Sequence, residues 1–169
     1  MQFEALYQEL VYSTEMIRAL LNGISQQYAQ VKPDQETWSI LEVVCHLYDV
    51  EREDFREHLD FILNRQDETW RDTDPQSWVA GRNHNGQDLE DMKAKFFEER
   101  KKSFAWLKQR NRMDPEIQYT SQWGEMSAGE MFASWVAHDN LHVRQLVELR
   151  RLGIERITKP YAIEYAGDW

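Results

Sequence analysis

The sequence predicts an all-α fold, a four-helix bundle, and three observations predict it. Only seven Gly and four Pro punctuate the 169 residues, so turns are few and regular elements are long. Four stretches repeat apolar residues at the 3.6-residue period of a single helix face. Two of them open with Ser-x-x-Glu, the capping pattern that satisfies otherwise unpaired amides at a helix start.

The first helix begins near Phe3, and Phe3, Leu6, Tyr7, Leu10, Thr14, Ile17, Leu21, Ile24 and Tyr28 share its apolar face. It ends in the polar stretch from Gln26 to Glu36, where Pro33 blocks continuation and forces extended backbone. Ser39-Ile40-Leu41-Glu42 opens the second helix, which runs to about Asn64 with Ile40, Val44, Leu47, Phe55, Leu59 and Ile62 as its stripe. His46 lies beside that stripe, with Val43 and Val50 one turn away. Residues 65–86 show no periodicity and read as a long loop carrying Trp70 and Trp78. Connections in compact domains have a median of about 4 to 6 residues, so a loop this long is functional or a crossover. At ~3.3 Å per residue it can span the ~39 Å of a helix of roughly 26 residues, which lets the second and third helices run parallel.

The third helix covers roughly Asp88 to Arg110, with Leu89, Met92, Phe96, Ser103 and Leu107 on one face. Asn111 to Met126, including Pro115 and Trp123, reads as irregular. Ser127-Ala128-Gly129-Glu130 opens the fourth helix, and Gly153 is expected to stop it in the left-handed position just past a helix end. Arg150 and Arg151 then fall in its last turn, where positive charge complements the helix dipole. The tail, residues 154–169, is aromatic and aperiodic. It is expected to fold back over the bundle, since Tyr161, Tyr165 and Trp169 are costly to leave exposed. No repeat interrupts the chain, and residues 1–169 read as one domain.

Composition excludes several function classes. An apolar share of 41% with seven Trp, seven Tyr and seven Phe is incompatible with a disordered chain. A formal charge of -10 opposes a phosphate backbone, so no nucleic-acid partner is expected. No apolar run approaches the ~20 residues of a membrane helix, and MQFEALYQEL lacks a basic region followed by an apolar one. The single cysteine, Cys45, cannot form an internal disulfide, so a cytoplasmic protein without a membrane partner is expected.

His138 and His142, four residues apart, place two rings on one helical face close enough to grip a single ion. Their stripe, Met131, Trp135, His138, His142, Gln145 and Leu149, otherwise reads as buried. Alone, the spacing is a weak signal and reads better as ordinary partly buried histidines bonded to backbone carbonyls. His46, on the inward edge of the second helix, adds a third imidazole from a facing helix, and three imidazoles with an open position describe a catalytic metal site. His58 lies twelve residues beyond His46, about 18 Å along the axis, too far to share the ion. His84 reads as solvated in its Gly-flanked loop, and Cys45 as a small core residue. Asp139, Asp49 and Glu42 are placed to orient a ring or accept a proton. The acidic runs Glu51 to Asp54 and Glu98 to Glu99 read as solvated helix faces. Imidazole suits zinc, nickel, copper and iron alike, so the residues leave the metal open.

Trp38-Ser39-Ile40-Leu41-Glu42 leading into Cys45-His46-Leu47, and His138-Asp139-Asn140-Leu141-His142 followed by Gln145-Leu146, resemble the DinB/YfiT superfamily from the first helix to Gly153. The resemblance implies a four-helix bundle in up-down-down-up order, commonly a homodimer. It also implies one divalent transition metal, nickel or zinc, on His46, His138 and His142. Family members with known activity are largely metal-dependent S-transferases and isomerases using low-molecular-weight thiols such as bacillithiol, mycothiol or glutathione, and others are described as metal-dependent hydrolases. The expected partners are therefore a small-molecule substrate and a low-molecular-weight thiol, with hydrolysis as the alternative reaction and a non-catalytic metal- or small-ligand-binding stress protein as the alternative to an enzyme.

Overall fold

The structure, a computed structural model, describes residues 1–70, 72–121 and 124–167. α1 (Phe3–Leu21) is followed by a short α2 (Gln26–Ala29) capped by the Ser25 side chain. α3 (Ile40–Val50) passes without a break through a π-helical turn (Glu51–Phe55) into α4 (Arg56–Asn64), making one rod over residues 40–64. α5 (Pro75–Gly81) and a 3₁₀ turn (His84–Gly86) lie in the connection to α6 (Leu89–Lys108). β1 (Gln118–Ser121) and β2 (Gly124–Ser127) pair antiparallel, with Tyr119 opposite Met126, before α7 (Ala128–Thr158). Both expected capping boxes form: Ser39 with Glu42 opens α3, and Ser127 with Glu130 opens α7.

Side-chain pairings fix the helix directions. Phe3 meets Phe132, Ser13 bonds Asp139 and Arg150 bonds the Leu20 carbonyl, so α1 and α7 run parallel. Tyr7 packs on Phe104, Thr14 accepts from Arg100 and the Arg18 guanidinium covers Phe97, so α6 runs against α1. Ile40 to Leu47 pack in one cluster with Leu89 to Phe97, while Leu59 and Ile62 pack in another with Leu107. The 40–64 rod and α6 are therefore parallel, and the order is up-down-down-up. The long connection makes this possible, because consecutive parallel helices need a crossover the length of a helix.

The core divides into those two apolar clusters, one at each end of the bundle. Between them, along each helix, sit polar residues buried in the interior: Ser13 and Thr14 on α1, Glu51 in the π turn, Arg100 and Ser103 on α6, Asp139 on α7. No helix of the described residues is long and apolar enough to cross a membrane.

Four expectations about elements are corrected. α1 ends at Leu21, and Ile24 and Tyr28 reach the core from the connection beyond it. Residues 65–86 hold α5, with Asp74 as its capping side chain and Pro75 in its first turn, where proline is tolerated. The stretch read as irregular between Asn111 and Met126 contains most of the hairpin; Trp123 lies outside the described residues. α7 does not stop at Gly153 but runs through it to Thr158, taking the first five residues of the expected tail into the helix. Gly153 instead provides a notch, since a Cβ there would fall 1.6 Å from the Tyr28 hydroxyl oxygen. The end of the tail does not cover the bundle: Tyr161 is 79% exposed and Tyr165 fully so, while Trp169 lies outside the described residues.

Candidate metal centre

The capped start of α3 and the middle of α7 face one another, and the three histidines meet between them. His46 Nε2 lies 3.2 Å from His138 Nε2, and His142 Nε2 lies 3.1 Å from the same atom. All three ligand atoms fall within 4.8 Å of one another. His46 and His142 are buried and His138 is half-buried. Trp38 packs against His46 at 4.9 Å and lies parallel to the His142 ring, while Phe55 packs against His138 at 4.8 Å. These rings hold the imidazoles in place and lower the local polarity.

Burial sets the protonation of the three rings. It pushes His46 down to about 2, reinforced by His142 and His138, and His138 down to about 3. It lowers His142 as well, against its hydrogen bond to Gln145 and the charge of Asp139. All three are neutral near pH 7, which is the form that binds a metal. His142 Nδ1 bonds Gln145 Oε1 at 2.8 Å. An amide oxygen only accepts, so the ring proton sits on Nδ1 and Nε2 presents a bare lone pair.

Nε2 of His142 presents its lone pair to Nε2 of His138, which faces Nε2 of His46 as well, so a cation at their meeting point is one partner that could take all three lone pairs at once. Nitrogens 2.0 to 2.1 Å from a shared ion lie about 2.9 to 3.4 Å apart, which the observed spacings match. The donor set fits one divalent transition metal, and with three protein ligands a position is left for a further group. The rings open onto a cleft of about 900 Å³ whose walls include Trp38, Val50, Phe55, Pro75, Leu141 and Leu149.

The residue types placed near the histidines by sequence have other duties. Asp139 does not face the imidazoles: it is buried and accepts from Arg100 at 2.5 and 3.0 Å and from Ser13 at 2.8 Å. Asp49 accepts from His84 Nε2 at 3.0 Å and pairs with Arg82 at 2.9 Å. Glu42 closes the α3 cap and pairs with Lys32. His84, expected in solvent, is only 3% exposed because the 3₁₀ turn presses it onto Asp49. Cys45 is fully buried, and burial pushes its thiol up to about 12. The loop tryptophans do not line the cleft: Trp70 stacks on His58 at 4.0 Å, and Trp78 lies under Arg82.

The acidic runs are not simply solvated. Glu51 is 1% exposed, accepts from Trp135 Nε1 at 3.0 Å and pairs with Arg100 at 2.8 Å, and Glu99 is buried against Arg56 and Lys102. Sequence periodicity carried a signal for both partners. Glu51 falls on the second-helix stripe between Leu47 and Phe55, and Arg100 falls on the third-helix stripe between Phe96 and Ser103. A charge in a core register needs a partner there.

With this geometry in hand, comparison with known proteins is informative. The family model of the DinB superfamily matches residues 9–146. This chain belongs to the DinB superfamily. Among solved structures it is similar to YfiT from Bacillus subtilis, described as a probable metal-dependent hydrolase with an unusual four-helix bundle topology. The likeness has a TM-score of 0.77 at 17% identity, over 90% of this chain and 88% of that one. At that identity it establishes the shared fold. No curated protein matches this chain.

Proposed function

We propose that this member of the DinB superfamily is a metal-dependent enzyme whose ion, nickel or zinc, is held by His46, His138 and His142. The observation that carries the reading is the convergence of three neutral Nε2 atoms at 3.1 and 3.2 Å, floored in a cleft. Bound there, the ion supplies a Lewis acid that lowers the pKa of a thiol or a water so that a nucleophile exists near pH 7. The chain's own residues do the rest. Gln145 fixes the His142 tautomer, Trp38 and Phe55 clamp the rings, and the apolar wall of the cleft binds the organic part of a substrate.

The preferred reaction is transfer of a low-molecular-weight thiol to a small electrophile. The cleft supports it, because about 900 Å³ is room for an electrophile and a cosubstrate together. Cys45 is buried with its thiol raised, so any sulfur nucleophile arrives from outside the chain. Metal-dependent hydrolysis is the second reading, and the likeness to YfiT favours it.

Elemental analysis of protein purified without an affinity tag tests the metal, with stoichiometric nickel or zinc expected in the wild type and none in His46→Ala. Metal-loaded protein offered a panel of thiols and electrophiles then separates the reactions. Consumption of the thiol with the electrophile supports transfer, turnover with water alone supports hydrolysis, and a wild type without bound metal overturns both.

A further inference from the structure

A thiol or water that becomes a nucleophile sheds a proton, and some group in the cleft must take it. Glu42, Asp49 and Asp139, the carboxylates nearest the histidines in sequence, are committed to Lys32, to His84 and Arg82, and to Arg100. Among the described residues, three other carboxylates line the cleft: Glu36, Asp54 and Glu148. Glu148 is held by Arg151 through both of its oxygens. Glu36 is exposed in the connection ahead of α3.

Asp54 differs from both. In an unbroken α-helix the residue two turns beyond His46 on the same face is the seventh. The π turn Glu51–Phe55 inserts one residue, so the cleft wall continues from His46 through Val50 to Asp54. Such turns are rare and recur at functional sites. Behind Asp54, the Oδ1 atom is 2.7 Å from Nδ1 of His58, a ring only 2% exposed and stacked on Trp70 at 4.0 Å. Trp70 is itself fixed, its amide donating to the Tyr119 hydroxyl at 2.9 Å. A carboxylate on the cleft wall thus has one oxygen tied by a buried imidazole.

We propose that Asp54 is the general base of the metal centre and that His58 is its positioning residue, an inference that rests on the metal-enzyme reading above. The proton of the nucleophile's S–H or O–H moves to Asp54. The electron pair left on sulfur or oxygen forms the new bond to the electrophilic carbon, and the pair of the broken bond departs with the leaving group, which takes the proton back from Asp54. His58 holds the carboxylate in the rotamer that reaches the nucleophile.

The test uses cobalt-loaded full-length protein and two probes read by its visible spectrum. Acetohydroxamic acid gives up a proton to bind a metal centre as acetohydroxamate, a step that a base beside it assists, whereas azide arrives already anionic. Asp54→Asn should weaken acetohydroxamate roughly tenfold or more, the usual scale for losing a hydrogen bond to a charged group, and should not weaken azide. His58→Ala should reproduce part of that loss, and His58→Asn, which keeps a donor near the position of Nδ1, should restore it. If Asp54→Asn leaves acetohydroxamate unchanged, or weakens both probes alike, the assignment of the base is overturned while the metal site stands. If the wild type takes up no cobalt, the metal-enzyme reading falls and this one with it.

Discussion

His138 and Asp139 are neighbours in sequence, yet they serve two polar clusters built on opposite principles. His138 joins His46 and His142 in a group of neutral rings whose Nε2 atoms converge. Asp139 turns about 100° around α7 into the interior and meets Arg100, which also reaches Glu51. There the chain supplies both signs of charge. Burial opposes the guanidinium charge, but Asp139 and Glu51 outweigh it and hold Arg100 above its ordinary range. One cation facing two carboxylates leaves an excess of negative charge, and burial with that excess pushes Glu51 upward. The first cluster offers Nε2 atoms that a cation from outside the chain could bridge, while the second draws its counter-charges from the chain itself. The difference separates a candidate site from a structural brace, although both draw on the 40–64 rod and α7, the second adding Arg100 of α6.

Four measurements break or sharpen this contrast, in descending order of effect. Arg100→Met strands two carboxylates in the core and should cost about 3 to 5 kcal/mol of unfolding free energy in urea, the scale for removing one partner of a buried ion pair. A loss under ~1 kcal/mol would show that the belt is not a brace. His46→Ala or His138→Ala should reduce metal affinity by more than about 100-fold in a chelator competition, one of the three proposed ligands being gone, with a much smaller loss of metal-free stability than Arg100→Met because no charge is stranded. Comparable losses in both readouts would make the histidines structural.

Gln145→Ala leaves the ligands in place and releases only the tautomer of His142, so affinity should fall about 10- to 100-fold by the same competition. The last measurement, smallest over its first pH unit, is the response of metal-free protein to acid. His46 and His138 lie at about 2 and about 3 when folded, against the usual ~6.5 when unfolded. Above pH ~6.5 both states are neutral and nothing is lost. Below it the unfolded chain takes up protons the folded chain refuses, so stability falls as pH drops from ~6.5 toward ~3, by roughly 1 kcal/mol per histidine over the first unit. Denaturant midpoints taken at intervals across this window should decline, and the decline should shrink in His46→Ala.

Much of this was legible in the sequence because it depends on local periodicity. The helix spacing, the capping boxes at Ser39 and Ser127, the crossover needed between residues 64 and 89 and the three histidines all follow from residues a few positions apart, or from a stripe that must turn inward. The β-hairpin was not legible, since strands of four residues are too short to display a period. α5 was missed for the same reason, although Asp74-Pro75 is a fair start signal. Gly153 was misread because a stop and a notch look alike in sequence, and only the arrival of Tyr28 from another segment distinguishes them.

The sequence by itself determined that helices form, where the two capped ones begin, and which three imidazoles can share an ion. Tertiary structure alone decided what the charged side chains do. Asp139 faces Arg100 rather than a histidine, Asp49 is claimed by His84, and Asp54 is turned into the cleft by one inserted residue at the π turn. The physical reason is that a helix's own face is fixed by residues within a turn or two. The partner of a buried charge comes from wherever the chain returns, in this case 39 residues away for Arg100 and Asp139 and 84 for Glu51 and Trp135.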